Sequence, residues 1–254
     1  MNYKVTHRTT FRYRYPVSVG KHVACLKLRT LSSQQVAHSE IHIDPVPASL
    51  TERVDYFGNV HSFFTIQEPH KELVVESRSQ VQVEGDAKPS PQDSVPWEEA
   101  VRWLAREPGP GGLEAYQFRF DSPRIKARPE FAAYALLSFT AGRPMREALL
   151  DLTARIHRDF RFNSKVTTVR TTPEEVFRKR RGVCQDFAQF QIACLRSLNL
   201  SARYVSGYLR TYPAPGQPKL WARMPPTHGS LLIARGLVGL IWIRPTTSCR
   251  LTNM

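Results

Sequence analysis

The segment at residues 181–188, Arg-Gly-Val-Cys-Gln-Asp-Phe-Ala, constrains the fold more than any other part of the sequence. Cys184 opens a run whose apolar residues recur at helical spacing as far as Leu198, which predicts a long buried helix that begins at the cysteine. A thiol there lies near the positive end of the helix dipole, which favours the thiolate. The pattern therefore predicts a nucleophile at Cys184, although a buried and inert cysteine remains the alternative.

The residues on either side of this helix predict its neighbours. Thr172-Pro173-Glu174-Glu175 is typical of a helix start, with Thr172 as the capping residue and Pro173 in the first turn. Four basic residues, 178–181, crowd the end of that helix, and Gly182 is predicted to end it in a left-handed conformation. Asn199 is the expected stop of the long helix, and residues 201–209 are predicted to form a strand.

The other three cysteines carry a different prediction. Cys194 lies on the apolar face of the helix and is expected in the core, whereas Cys25 belongs to an N-terminal strand region and Cys249 to the tail. No CxxC pair occurs, so we expect no structural zinc site, and nothing in the sequence predicts a cofactor. Scattered cysteines without a signal peptide predict a reducing, cytoplasmic environment without disulfides.

The charge of the chain is unevenly distributed. The net charge of +14 invites a nucleic-acid partner, but all 22 acidic residues lie at or before Asp186, so the excess is concentrated in the tail. The cluster at 178–181 is explained by a helix end. We therefore predict no nucleic-acid partner, and because no run of 18 apolar residues occurs, no membrane span.

Three regions follow from the patterning. Residues 1–84 alternate apolar and polar side chains and predict a β-rich domain, with a hairpin turn at Gly58-Asn59 and with Phe11, Tyr13 and Tyr15 packed in its core. Residues 85–128 predict a linker and a short helix, Pro96–Arg106, which is broken by the proline- and glycine-rich segment 107–112. Residues 129–254 form the predicted core domain, with helices at 129–140 and 144–160, and His157 is expected on the surface of the second.

The sequence resembles the bacterial transglutaminase-like proteins. The resemblance rests on Thr171–Glu175, on Arg181–Ala188, on Ala202–Tyr208 and, more loosely, on the opening Tyr3–Pro16, and it extends to about residue 220. It implies an α+β fold, in which a β-rich, sandwich-like N-terminal domain precedes a papain- or transglutaminase-like core with the cysteine at a helix N-terminus against an antiparallel sheet.

The resemblance also implies a chemistry. Cys184 would attack an amide carbonyl of a peptide or protein, and water or an amine would resolve the resulting thioester, so protease, amidase and transamidase activities stay open. The family places a histidine and then an aspartate after the cysteine. In this chain no acidic residue follows Asp186. His228, within one residue of the family position, is the one candidate base.

The tail has the form of a shifted reading frame. In a frame shifted by one base, each new codon joins the last base of one residue's codon to the first two bases of the next. The genetic code determines the new residue at three pairs of the tail: Trp221-Ala222 gives glycine, Met224-Pro225 alanine and Trp242-Ile243 aspartate. In the same shifted frame, the codons of other pairs permit the segments Asp-Ala-Ser-His-Ala-Trp and Asp-Pro-Thr, which resemble the strands that carry the family's histidine and aspartate. We therefore expect residues 220–254 to be out of frame, the C-terminal strands to be defective and the activity impaired. The alternative function is a non-catalytic module that binds a peptide or protein. The sequence does not indicate an oligomeric state.

Overall fold

A computed structural model describes residues 1–31, 33–84, 94–106, 110–163, 165–168, 170–208, 227–234, 237–241 and 251–253. For residues 110 and 111 and for the last three segments, only the backbone is described. The chain divides into two compact units. Most of the first is residues 1–84, joined by strand 251–253, and the second contains the described residues from 94 to 241.

The first unit consists of two antiparallel sheets. One has the strand order β12-β1-β6-β3, and the other has the order β2-β5-β4. The strands are β1 Asn2–Val17, β2 Gly20–Ala24, β3 Gln34–Asp44, β4 Ser49–Val54, β5 Val60–Ile66, β6 His70–Val83 and β12 Leu251–Asn253.

Side chains from both sheets share one apolar core in this unit. Phe64 and Ile66 of β5 pack with Leu73 and Val75 of β6, and Tyr13 is half-buried against them. The prediction that the aromatic residues of β1 lie in the core is wrong for Phe11 and Tyr15, which are exposed. Alternation places those residues on one face, but it does not say how far along the strand that face is covered.

The predicted hairpin turn is confirmed in the loop between β4 and β5. Gly58 has a φ of 79°, in the left-handed region that favours glycine. Asp55 closes the loop, since its Oδ1 accepts the backbone N–H groups of Phe57 (2.9 Å) and Asn59 (2.8 Å).

The described residues of the second unit form six α-helices, a short 3-10 helix at Gln117–Arg119 and two small sheets. The helices are α1 Trp97–Arg106, α2 Pro110–Tyr116, α3 Pro129–Leu136, α4 Met145–Asp159, α5 Pro173–Lys179 and α6 Cys184–Ser197. The strands are β7 Arg161–Phe162, β8 Arg181–Gly182, β9 Ala202–Gly207, β10 Thr227–Ala234 and β11 Leu237–Ile241. Helix α1 ends at Arg106, as predicted, and within the proline- and glycine-rich segment Pro110 begins α2, since proline suits a first helical turn.

Helix α6 lies at the centre of the second unit. Eleven of its residues, from Asp186 to Arg196, are buried, so this helix is covered on all sides rather than along one stripe. Phe190 is packed among the rings of Phe131, Tyr134, Phe160 and Phe177, at centroid distances of 5.0–5.4 Å. These rings come from α3, α5 and the end of α4, and they fix α6 against three neighbouring segments.

An antiparallel sheet of order β11-β10-β9 packs on α6. The buried Arg196 connects the end of the helix to β9, because its Nε and Nη2 both donate to the carbonyl oxygen of Ala202, at 3.2 and 2.9 Å. Its Nη1 also donates to the carbonyl oxygen of Phe120 (2.9 Å) and to Ser122 Oγ (3.1 Å). The strand therefore starts at the C-terminal end of the helix and returns towards Cys184.

Some sequence predictions fall outside the described residues. These are most of the linker at 85–93, Cys249, and the residues whose codons carry the frame argument, 221–225 and 242–243. Strands β10 and β11 pair in register within the tail, but their side chains are not described, so the defect expected there stays a prediction. No helix in the described segments is long and apolar enough to cross a membrane.

We expect Arg196→Met to destabilise the second unit by about 3 kcal/mol, because the buried carbonyl group of Ala202 and the carbonyl group of Phe120 lose their donor. Urea unfolding of the two proteins measures this difference. Arg102→Met, at an exposed position of α1, is the matched control and should change the free energy of unfolding by less than about 0.5 kcal/mol. Equal effects of the two substitutions would contradict the role of Arg196.

Candidate active site

The turn before Cys184 is fixed by helix α5. Thr172 Oγ1 accepts the backbone N–H of Glu175 (3.4 Å), which confirms the predicted cap. The left-handed residue at the other end of the helix is Arg180, with a φ of 52°, and not the predicted Gly182. The Arg180 N–H donates to the carbonyl oxygen of Val176 (2.8 Å), so the helix closes two residues earlier than expected.

The guanidinium of Arg180 compensates for this uncommon backbone conformation. It lies over the rings of Phe177 (4.2 Å), Phe160 (4.8 Å) and Tyr134 (5.3 Å), and cation–π contacts of this kind are stabilising. The Arg180 carbonyl oxygen accepts the N–H of Arg161 (2.9 Å), which begins the short β7–β8 pairing. The chain therefore enters α6 along a path that aromatic residues from three segments of the chain define.

Gly182 has a steric role instead. A Cβ on this residue would lie 2.9 Å from Asp186 Oδ2 and 3.0 Å from Asp186 Cβ. Asp186 needs that space because its Oδ2 accepts the N–H of Val183 (2.8 Å), the residue that precedes the first turn of α6. The Gly-Val-Cys-Gln-Asp spacing thus sets where the helix begins.

The cysteines of the described segments lie in different environments. Cys184 is the first residue of α6 and is partly exposed. Cys194 is fully buried in the core, as predicted, and burial raises the pKa of its thiol. Cys25 is exposed, and partial burial together with the nearby Asp55 carboxylate raises the pKa of its thiol. Access therefore distinguishes Cys184 from Cys194, whereas its position at the start of a helix and the raised pKa of the Cys25 thiol distinguish it from Cys25.

Tyr204 on β9 lies close to the start of α6. Burial raises the pKa of its phenol, and the negative charges of Cys184 and Asp186 add to that effect. Tyr204 and Gln189 line a cavity of about 320 Å³ together with the segment Ser122–Ile125. Sequence reasoning did not select Tyr204 or Gln189, because the cavity exists only once the segment at 122–125 packs beside α6.

The predicted base, His228, lies in strand β10 directly opposite Ser206 of β9. Directly opposed positions of an antiparallel pair share one face of the sheet, so position 228 belongs to the face of positions 202, 204 and 206. Along β9 that face runs from the buried Ala202 to the exposed Ser206. The backbone therefore places His228 on the face that carries Tyr204, towards the exposed end of the strand, while His157 is exposed on α4, as predicted.

The structure brings Cys184 and Asp186 close to Tyr204, but an orienting acid for His228 is not among the described residues that surround them. Asp186 Oδ2 accepts the Val183 N–H, so this carboxylate fixes the helix start. A partly exposed thiol at a helix N-terminus, close to a tyrosine that lines a cavity, has the parts needed to attack a bound acyl group.

We expect Gly182→Ala to weaken both the fold and the reactivity of Cys184. The added Cβ would displace the Asp186 carboxylate from the Val183 N–H, at a cost of about 1–3 kcal/mol. The melting temperature and the rate of iodoacetamide labelling at Cys184 should both be lower than in the unchanged protein. Peptide mass spectrometry assigns the label to Cys184. An alanine variant with unchanged labelling rate and unchanged melting temperature would contradict this account of the helix start.

Two family models match the sequence. The one described as the bacterial transglutaminase-like N-terminal region matches residues 3–82, and the one described as the transglutaminase-like superfamily matches residues 138–228. The second match includes Cys184 and ends at His228.

Relatives and a solved structure agree with these matches. An uncharacterised protein of Mycobacterium tuberculosis is 39% identical over 221 residues, which are 86% of this chain and 69% of that protein. One of Mycobacterium leprae is 28% identical over 207 residues, 81% of this chain and 70% of that protein. The crystal structure of a proposed cysteine protease from Cytophaga hutchinsonii superposes with a TM-score of 0.73 at 17% identity, over 96% of this chain and 76% of that one. The predicted α+β fold class is confirmed.

Proposed function

The chain belongs to the transglutaminase-like superfamily and carries its bacterial N-terminal region, and from this premise we propose that it is a cysteine enzyme that acts on amide bonds of peptides or proteins. The observation that carries the proposal is the position of Cys184. It is a partly exposed thiol at the first residue of a buried helix, close to Tyr204, which lines a cavity together with Gln189. We place this activity in the cytoplasm, where cysteines stay reduced.

The proposed reaction is acyl transfer through Cys184. The sulfur bonds to the amide carbonyl carbon, the carbon–nitrogen bond breaks, and the amine leaves with a proton. Water then releases a carboxylic acid, or a second amine forms a new amide, and in either case the thiol is regenerated. Access of water to the thioester decides between hydrolysis and transamidation.

His228 is the proposed proton acceptor. Its position opposite Ser206, on the face of the sheet that carries Tyr204, and the family match that extends to this residue both support the assignment. A histidine without an orienting carboxylate is a weaker base, because nothing fixes its tautomer and stabilises its protonated form. We therefore propose that acylation in this chain is slow.

The shifted reading frame remains our explanation for the absent carboxylate. It rests on the codons of Trp221-Ala222, Met224-Pro225 and Trp242-Ile243, and on the absence of any acidic residue after Asp186 in the sequence. Strands built from a frame-shifted sequence would have side chains that do not match the surface of α6 and would cover it poorly. Each large apolar side chain left exposed costs about 1.5–3 kcal/mol. Reduced stability would then accompany the reduced activity.

A binding module is the second candidate. The missing carboxylate favours it, since a protein that only holds a peptide needs the cavity and not the chemistry. Cys184→Ala separates the two functions: an enzyme loses amide turnover, whereas a module retains its partner affinity.

We predict that iodoacetamide modifies Cys184 at least about tenfold faster than Cys25 or Cys194 at neutral pH. Cys194 is fully buried and Cys25 has a raised pKa, so both are mostly protonated thiols under these conditions. Peptide mass spectrometry after short exposure assigns the label to each cysteine. Cys194→Ala is the matched control and should leave the rate at Cys184 unchanged. Faster labelling of Cys25 than of Cys184 would contradict the proposal.

Sequencing the coding DNA across codons 215–225, followed by insertion of one base, tests the frame hypothesis. The restored chain should melt cooperatively at a higher temperature than the present one and should release ammonia from a glutamine-containing peptide faster. Cys184→Ala in the restored chain should abolish that release. A present chain that is already stable and fully active, or a restored frame without histidine and aspartate codons, would refute the hypothesis.

A further inference from the structure

A second cavity, of about 470 Å³, adjoins the one beside Tyr204. The two cavities share Pro123 and Arg124 as lining residues, so they meet at this point of the chain. The other lining residues of the second cavity are Lys126, Arg128, Arg170, Thr171, Thr172 and Glu174. We call the second cavity the basic pocket, because four of its side chains are cationic and one is anionic.

The wall that the two cavities share is held rigidly. Ser122 and Ile125 exchange backbone hydrogen bonds of 2.9 and 3.2 Å across a tight turn, and Pro123 and Arg124 form its tip. Ile125 is buried beneath the turn, and the N–H of Arg128 donates to Ser197 Oγ at the end of α6 (3.0 Å). The basic pocket is therefore attached to the helix that carries Cys184.

The positive charge of the pocket is only partly compensated. Arg128 Nε lies 3.3 Å from Glu174 Oε1, and Lys126 Nζ lies 3.7 Å from Asp121 Oδ2, outside the pocket. Arg170 has no ion pair within the portion of the chain that is described. Since like charges concentrated around a concave surface raise its affinity for anions, the pocket is suited to a carboxylate.

From this arrangement we infer that the basic pocket binds an acidic side chain of the peptide substrate while the reacting amide lies in the cavity beside Tyr204. This inference rests on the proposed function, because it takes Cys184 as the reacting group. A peptide fits the pocket better than a nucleic acid does. No aromatic ring on which a base could stack is among the residues that line the basic pocket.

Binding to the full chain with Cys184→Ala tests the inference without catalysis. The probe is a fluorescent ten-residue peptide with one central glutamine flanked by two glutamates on each side, and its control carries serines in place of the glutamates. We expect fluorescence anisotropy at low salt to give about tenfold tighter binding of the acidic peptide, with a difference that decreases as salt is added.

Matched variants locate the binding. Arg170→Gln should bring the affinity for the acidic peptide close to that for the control peptide, and Lys126→Gln should weaken it in the same direction. Arg102→Gln, which removes an exposed arginine of α1 outside the pocket, should leave it unchanged. Equal binding of the two peptides would overturn the inference, as would equal effects of Arg170→Gln and Arg102→Gln, or tighter binding of a single-stranded oligonucleotide that displaces the peptide.

The comparison of the two peptides uses the same Cys184→Ala chain for both, so its result does not depend on whether a pocket variant folds well. Its failure can be distinguished from failure of the proposed function. Selective binding of the acidic peptide without acylation of Cys184 in the original chain would support the role of the basic pocket and contradict the proposed enzyme function. Acylation at Cys184 that is equally fast with both peptides would support the proposed enzyme function and contradict the role of the basic pocket.

Discussion

Burial of α6 on all sides is the constraint on which the rest of the second unit depends. A helix covered all round needs partners in every direction, and α3, α5, the end of α4 and the sheet of β9 and β10 supply them. Phe190 at its middle and Arg196 at its end fix its position along its axis. The first residue of a helix held in this way has little freedom, so Cys184 is presented at one place beside Tyr204.

Much of this arrangement could be predicted from local sequence, because its causes are local. The Thr172 cap, the start of α6 at Cys184, the stop at Asn199 and the burial of Cys194 each depend on residues within one or two helical turns. Asn199 has a φ of 60°, as a helix-ending residue should. Capping and helix-ending residues of this kind determine where a helix begins and ends through contacts within the helix itself.

The features that sequence reasoning missed depend on residues far apart in the chain. Arg180 takes the left-handed conformation assigned to Gly182 because rings from α3, α5 and the end of α4 surround its guanidinium. The cavity beside Tyr204 forms only where the turn at 122–125 meets α6. Phe11 and Tyr15 are exposed because alternation predicts a face and not what covers it.

The central claim is that Cys184 is a nucleophile for acyl groups. A small activated ester such as p-nitrophenyl acetate tests it directly, because acylation releases one nitrophenolate per reacting thiol and leaves a thioester that peptide mass spectrometry can locate. The account predicts a burst approaching one equivalent, with the acetyl group on Cys184, that Cys184→Ala abolishes and Cys194→Ala does not. Acetylation of Cys25 in preference to Cys184, or the same burst after Cys184→Ala, would contradict it.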